Sequence, residues 1–79
     1  MNEALRKLLA DVFGVKPEKI SERDSHETIP AWDSLRHLQM VMALEQQYGI
    51  QIDTEQIANI KSVADVVRLV ETARGSGGG

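Results

Sequence analysis

Seventy-nine residues without a cysteine allow one small domain and exclude disulfides, thiolate metal sites and a cysteine nucleophile. A formal charge of −3 leaves no basic stripe that would neutralise a nucleic-acid backbone, and no leader or spanning apolar run is evident, which makes the cytoplasm the expected compartment. The apolar share of 42% includes one Trp, one Tyr and one Phe, so the core must come from Leu, Ile, Val and Met, as in a helix bundle.

The first element is a helix over about Asn2 to Phe13. Leu5, Leu8, Leu9, Val12 and Phe13 recur at three- and four-residue spacing and form one apolar stripe. Gly14 ends it as a left-handed cap, and Val15 is placed to fold back on the last turn. From Val15 to Trp32 the pattern breaks into charged residues, two prolines and isolated apolar positions, Val15, Ile20, Ile29 and Trp32. A loop this long needs pins, and those four residues are the candidates.

Ile29-Pro30 disfavours helix ahead of it, whereas Asp33 and Ser34 are both favoured N-cap types and are followed by helix formers. The second helix is therefore expected over about Ser34 to Tyr48, with Gly49 as its stop. Its apolar residues Leu35, Leu38, Met40, Val41, Met42, Ala43 and Leu44 exceed a single stripe. That predicts a central helix covered by two neighbours, or one that borders a ligand groove. Ile50-Gln51-Ile52 reads as an extended connector. Asp53 or Thr54 with Gln56 has capping-box spacing ahead of a short third helix near Glu55 to Asn59, with Ile57, Ala58 and Ile60 facing inward.

Ser62 followed by Asp65 repeats the capping pattern before a last helix over about Val63 to Arg74, whose apolar face is Val63, Val66, Val67, Leu69, Val70 and Ala73. Gly75-Ser76-Gly77-Gly78-Gly79 is expected to be a flexible tail, either a cloning remnant or a tether to a neighbouring module. The domain expectation is thus residues 1–74 plus a tail of residues 75–79. The fold expectation is all-α: a small four-helix bundle of three longer helices and one short one, with a long first loop.

Ser34 is the residue with chemical promise. At a helix mouth, free N–H groups and the positive end of the helix dipole favour an anion, so a phosphate esterified to this hydroxyl would be stabilised there. Asp33-Ser34-Leu35, with Leu38, Val41-Met42-Ala43-Leu44-Glu45, Tyr48, Ile50-Gln51-Ile52 and Ser62-Val63, resembles the acyl carrier proteins. In that family an Asp-Ser-Leu motif opens the second helix and the serine bears a 4′-phosphopantetheine arm. The resemblance covers nearly all of Met1 to Arg74.

The resemblance implies a carrier rather than an enzyme. A phosphopantetheinyl transferase would move the arm from coenzyme A to Ser34, between Asp33 and Leu35. An activating ligase or acyltransferase would load an acyl group as a thioester, and downstream biosynthetic enzymes would dock on Leu35, Arg36, Gln39, Met42, Glu45 and Gln46. No membrane span, nucleic-acid partner or metal site is implied, and the chain is expected to be monomeric. In the family an acyl chain can slip between the second helix and the segments packed on it.

Carriers of fatty-acid synthesis resemble one another in a strongly acidic second helix. Here the polar positions are Arg36, His37, Gln39, Glu45, Gln46 and Gln47, close to neutral, so a polyketide, other specialised or aminoacyl pathway such as D-alanyl transfer stands beside fatty-acid synthesis. Other readings of the same residues are a plain cap at Ser34 or a helical interaction module without the cofactor. Ser34 with His37 at i+3 as a nucleophile pair lacks an elbow glycine pattern and an oxyanion hole, so His37 reads as a surface neighbour of the attachment site. Asp24, His26, Glu27 and Asp33 fit no recognised metal-ligand spacing.

Overall fold

The computed structural model describes residues 1–78, with side chains through residue 73. Helices α1 (Glu3–Phe13), α2 (Ser34–Tyr48), α3 (Thr54–Asn59) and α4 (Val63–Gly78) follow in order, with a 3₁₀ turn at Pro17–Lys19 in the long first loop. Among the described residues the one extended pairing is an isolated antiparallel bridge between Ser25 and Ser62. The fold is an all-α four-helix bundle.

The boundaries lie where the capping chemistry puts them. The Asn2 side chain accepts from the Leu5 N–H at 2.7 Å, and α1 ends at Gly14 with φ 67°, a value that L side chains rarely adopt. Gly49, φ 63°, closes α2 in the same way. Asp53 caps α3 in a reciprocal box with Gln56, each side chain accepting the other's backbone N–H.

The core draws Leu5, Leu9 and Phe13 from α1, Met40, Val41 and Leu44 from α2, and Val63, Val66 and Val70 from α4. Ile20, Ile29 and Trp32 reach it from the first loop and Val15 is half-buried against it, so the expected pins hold. Arg6 adds a polar one, donating to the Ile20 carbonyl at 2.6 Å. The Trp32 ring stacks on Phe13 with centroids 4.8 Å apart.

The loop also closes α4. The Val63 and Ala64 N–H groups donate to the Asp24 and Glu22 carbonyls at 2.9 and 3.1 Å, and the Asp65 N–H donates to Ser62 Oγ at 3.3 Å. In return the Asp65 carboxylate accepts from the Lys61 and Ser62 N–H groups. These bonds, the Lys61 N–H foremost, hold its carboxyl below the usual value against the opposing effect of burial.

Two expectations shift. Ala58 is exposed while Ile57 is half-buried and Ile60 buried, because a helix of six residues presents one inward face and Ala58 sits off it. Helix α4 continues past Arg74 to Gly78. Extending an existing helix needs no new nucleus, although each glycine is about 1 kcal/mol less favourable than alanine. The glycine-rich tail was expected to be flexible; of that tail, Gly79 lies outside the described residues.

Candidate functional site at the mouth of α2

Asp33, and not Ser34, caps α2. Its backbone is extended and its Oδ1 accepts from the Arg36 N–H at 2.8 Å, while its carbonyl accepts the His37 N–H. Ser34 is thereby the first residue of the helix, exposed, with its hydroxyl in no hydrogen bond among the described residues. The other serines with described side chains are occupied: Ser21, Ser25 and Ser62 each accept a backbone N–H through Oγ.

The backbone around Ser34 is also open. Neither the Ser34 nor the Leu35 N–H has a protein acceptor among the described residues, in contrast to the corresponding groups of α4, which the first loop takes up. A helix mouth with unclaimed N–H donors and an exposed, unused hydroxyl suits an esterified phosphate.

A groove of about 500 Å³ adjoins Ser34, walled by Trp32, His37 and Leu38 on one side and Ile57, Ala58 and Ile60 on the other. It is open to solvent, mixed apolar and polar, and lies between α2 and the α3 segment. On the outer side of α2, Leu35, Leu38 and Met42 are 63%, 52% and 67% exposed. Helix α2 does pack on two neighbours, α1 and α4, but this stripe, at i, i+3 and i+7, lies off both contacts and stays largely exposed. Met40, Val41 and Leu44 supply the buried face instead.

The candidate docking residues divide accordingly. Leu35, Gln39, Met42 and Gln46 are exposed. Arg36 and Glu45 are half-buried and occupied: Arg36 Nη1 donates to the Val12 carbonyl at 2.6 Å, and Glu45 Oε2 accepts the Ile52 N–H at 2.9 Å. Each ties α2 to another segment, as expected of long polar side chains that lie beside buried apolar surface.

His37 corrects the sequence reading more sharply. It is no surface bystander: Nδ1 accepts from Trp32 Nε1–H at 2.9 Å, and Nε2 lies 2.9 Å from the Ile57 carbonyl. It joins the loop, α2 and α3 at the edge of the groove. The signal was present in the spacing, since His37, Val41 and Leu44 recur at i, i+4 and i+7 on what proves to be the buried stripe. Of the metal-capable loop residues, Asp24 is engaged with Ser21 and Thr28, and no metal-binding cluster forms among the described residues.

Residues 3–70 match the family model described as "Phosphopantetheine attachment site". The chain is 35% identical over 72 residues to acyl carrier proteins of Sinorhizobium fredii and Rhizobium meliloti, covering 91% of this chain and 92% of each relative. It also superposes on the solution structure of a holo acyl carrier protein from Geobacter metallireducens with a TM-score of 0.84 at 28% identity, over 94% of this chain and 85% of that one.

Proposed function

The chain belongs to the acyl carrier protein family, and from that premise we propose that Ser34 is the residue that carries its 4′-phosphopantetheine arm. The observation that carries the assignment is the unused hydroxyl: with Asp33 serving as the cap, Ser34 Oγ makes no hydrogen bond among the described residues and Ser34 is exposed. An acyl carrier protein holds intermediates and does not convert them. The arm supplies the thiol that this chain lacks, since it contains no cysteine, and holds cargo as a thioester.

The residues around Ser34 have defined tasks in this reading. Asp33 fixes the first turn and leaves the Ser34 and Leu35 N–H groups free to stabilise the phosphodiester, and its carboxylate would help the modifying enzyme place its magnesium. Leu35, Leu38 and Met42 offer an apolar face to partner enzymes, with Gln39 and Gln46 at its rim. The groove between Leu38 and Ile57 offers part of the arm or cargo shelter from water. Residues 1–74 form the carrier domain, acting as a monomer in the cytoplasm, and residues 75–79 a dispensable tail.

We read the pathway from the charge on that rim. With Arg36 and Glu45 turned to internal partners, the exposed polar positions on α2 are mainly amides. That favours enzymes whose carrier-binding patches are not strongly basic, as in a polyketide, other specialised or aminoacyl pathway, over fatty-acid enzymes built for acidic carriers. The test is loading. Incubated with coenzyme A, magnesium and a broad-specificity phosphopantetheinyl transferase, then with panels of acyl- and aminoacyl-activating enzymes, the chain should accept one arm and then discriminate among loaders. Equal or better loading by fatty-acid enzymes would overturn the pathway reading.

A further inference from the structure

We propose that His37 is a proton-sensitive latch on the groove beside Ser34, which bridges Trp32 to α3 when neutral and lets go of Trp32 when protonated. The donor and acceptor pattern dictates this. An indole Nε1–H can only donate, so at 2.9 Å from it His37 Nδ1 must be the acceptor and carry no hydrogen. The ring's proton is then on Nε2, where it donates to the Ile57 carbonyl at 2.9 Å. Both ring nitrogens are used, and only one protonation state satisfies both partners.

Adding the second proton places an N–H on Nδ1 directly opposite the indole N–H. Two donors at that distance repel, so the Trp32 contact must open. The three bonded groups come from three segments: Trp32 from the end of the first loop, His37 from α2 and Ile57 from α3. Trp32, His37 and Ile57 all line the groove, so losing the link changes its walls. The Nε2–H bond to the Ile57 carbonyl survives the second proton, so α3 stays on the ring and the Trp32 wall is the one set free.

The charged surroundings are few. His26 from the loop, Asp33 from the mouth of α2 and Lys61 from the connector after α3 line the same groove. Helix α1 contributes the uncharged Phe13, stacked on the Trp32 ring, and the Arg36 guanidinium is turned away to the Val12 carbonyl. An imidazole ordinarily titrates between about pH 5 and pH 8. Because the latched form excludes the second proton, acid favours the open form. The latch is a property of the bare chain; its use in admitting arm or cargo rests on the Ser34 assignment.

The chain has one tryptophan and two histidines, which makes the test clean. In the unmodified protein, the Trp32 Nε1–H resonance and the Ile57 carbonyl resonance are followed by NMR from about pH 8 to about pH 5. Wild type should show one transition shared by both signals. His37→Gln presents an amide oxygen to the indole and an amide N–H to Ile57, keeps both bonds without titrating, and should retain the high-pH signals throughout. His26→Gln should leave the transition in place. The proposal is overturned by a wild type with no shared transition, by a transition that survives in His37→Gln, or by one that disappears in His26→Gln. These signals are read without the arm, so their failure leaves the Ser34 assignment standing, and a chain that refuses the arm would leave the latch standing.

Discussion

The Arg36 guanidinium reaches across to the Val12 carbonyl at 2.6 Å, and this bond joins the helix that bears Ser34 to the C-terminal end of α1. The last turn of α1 has no basic residue of its own, so Arg36 supplies from another helix the positive charge that a helix C-terminus favours. Arg36 is therefore a structural residue more than a member of the proposed docking face.

From this, Arg36→Ala should destabilise the fold by about 1–3 kcal/mol, the range for a hydrogen bond to a charged group whose partner is left behind. Arg36→Lys should recover only part, because a single ammonium does not reproduce the guanidinium's planar reach. Urea unfolding decides it; an unchanged midpoint in Arg36→Ala would show that the Val12 contact contributes nothing.

Partner choice can be tested without disturbing that bond. Replacing the exposed Gln39 and Gln46 with glutamate should raise loading by an enzyme built for acidic carriers and steepen the salt dependence of docking. Rates and salt response that match wild type would remove the charge argument for a specialised pathway.

Leu44 is fully buried at the centre of the bundle, and Leu44→Ala should cost about 2–5 kcal/mol, a large share of the stability of so small a domain. Deletion of residues 75–79 should leave the thermal midpoint nearly unchanged, although α4 runs on to Gly78, because glycine adds no buried side chain. A tail deletion as harmful as Leu44→Ala would move the domain boundary.

Asp65 sets an acid limit. Its carboxyl is held below the usual 3.8, so its contribution is complete above that value and is lost as pH falls through the lowered folded one. Asp65→Asn should be less stable than wild type at neutral pH, and the gap should narrow below about pH 4. A gap that stays constant down to the acid transition would show that the charge is immaterial.

Local chemistry made most of the fold legible beforehand. Gly14, Gly49, the Asp53 and Gln56 box and the Ser62 and Asp65 pair each mark a helix end through one short-range interaction, and each end lies within a residue of where that interaction puts it. What stayed hidden depended on contacts between distant segments. Nothing near Arg36 or Glu45 in the sequence points to Val12 or Ile52, and both looked like solvent-facing docking groups. The exposed Leu35, Leu38 and Met42 stripe was hidden for a related reason: hydrophobicity shows that a face is apolar but not whether anything covers it. At Ser34 the motif marked the residue, while the division of labour that leaves its hydroxyl unused emerged only from the hydrogen bond between Asp33 and Arg36.

The central claim is tested most directly by the intact mass of wild type and Ser34→Ala after incubation with coenzyme A, magnesium and a broad-specificity transferase. With Asp33 as the cap, Ser34→Ala should stay folded at a cost below the roughly 0.5–2 kcal/mol of a lost N-cap, which its melting curve would show. Wild type should gain the mass of one phosphopantetheine arm and Ser34→Ala should gain none. An unmodified wild type, or a Ser34→Ala protein modified to the same extent, would contradict the assignment.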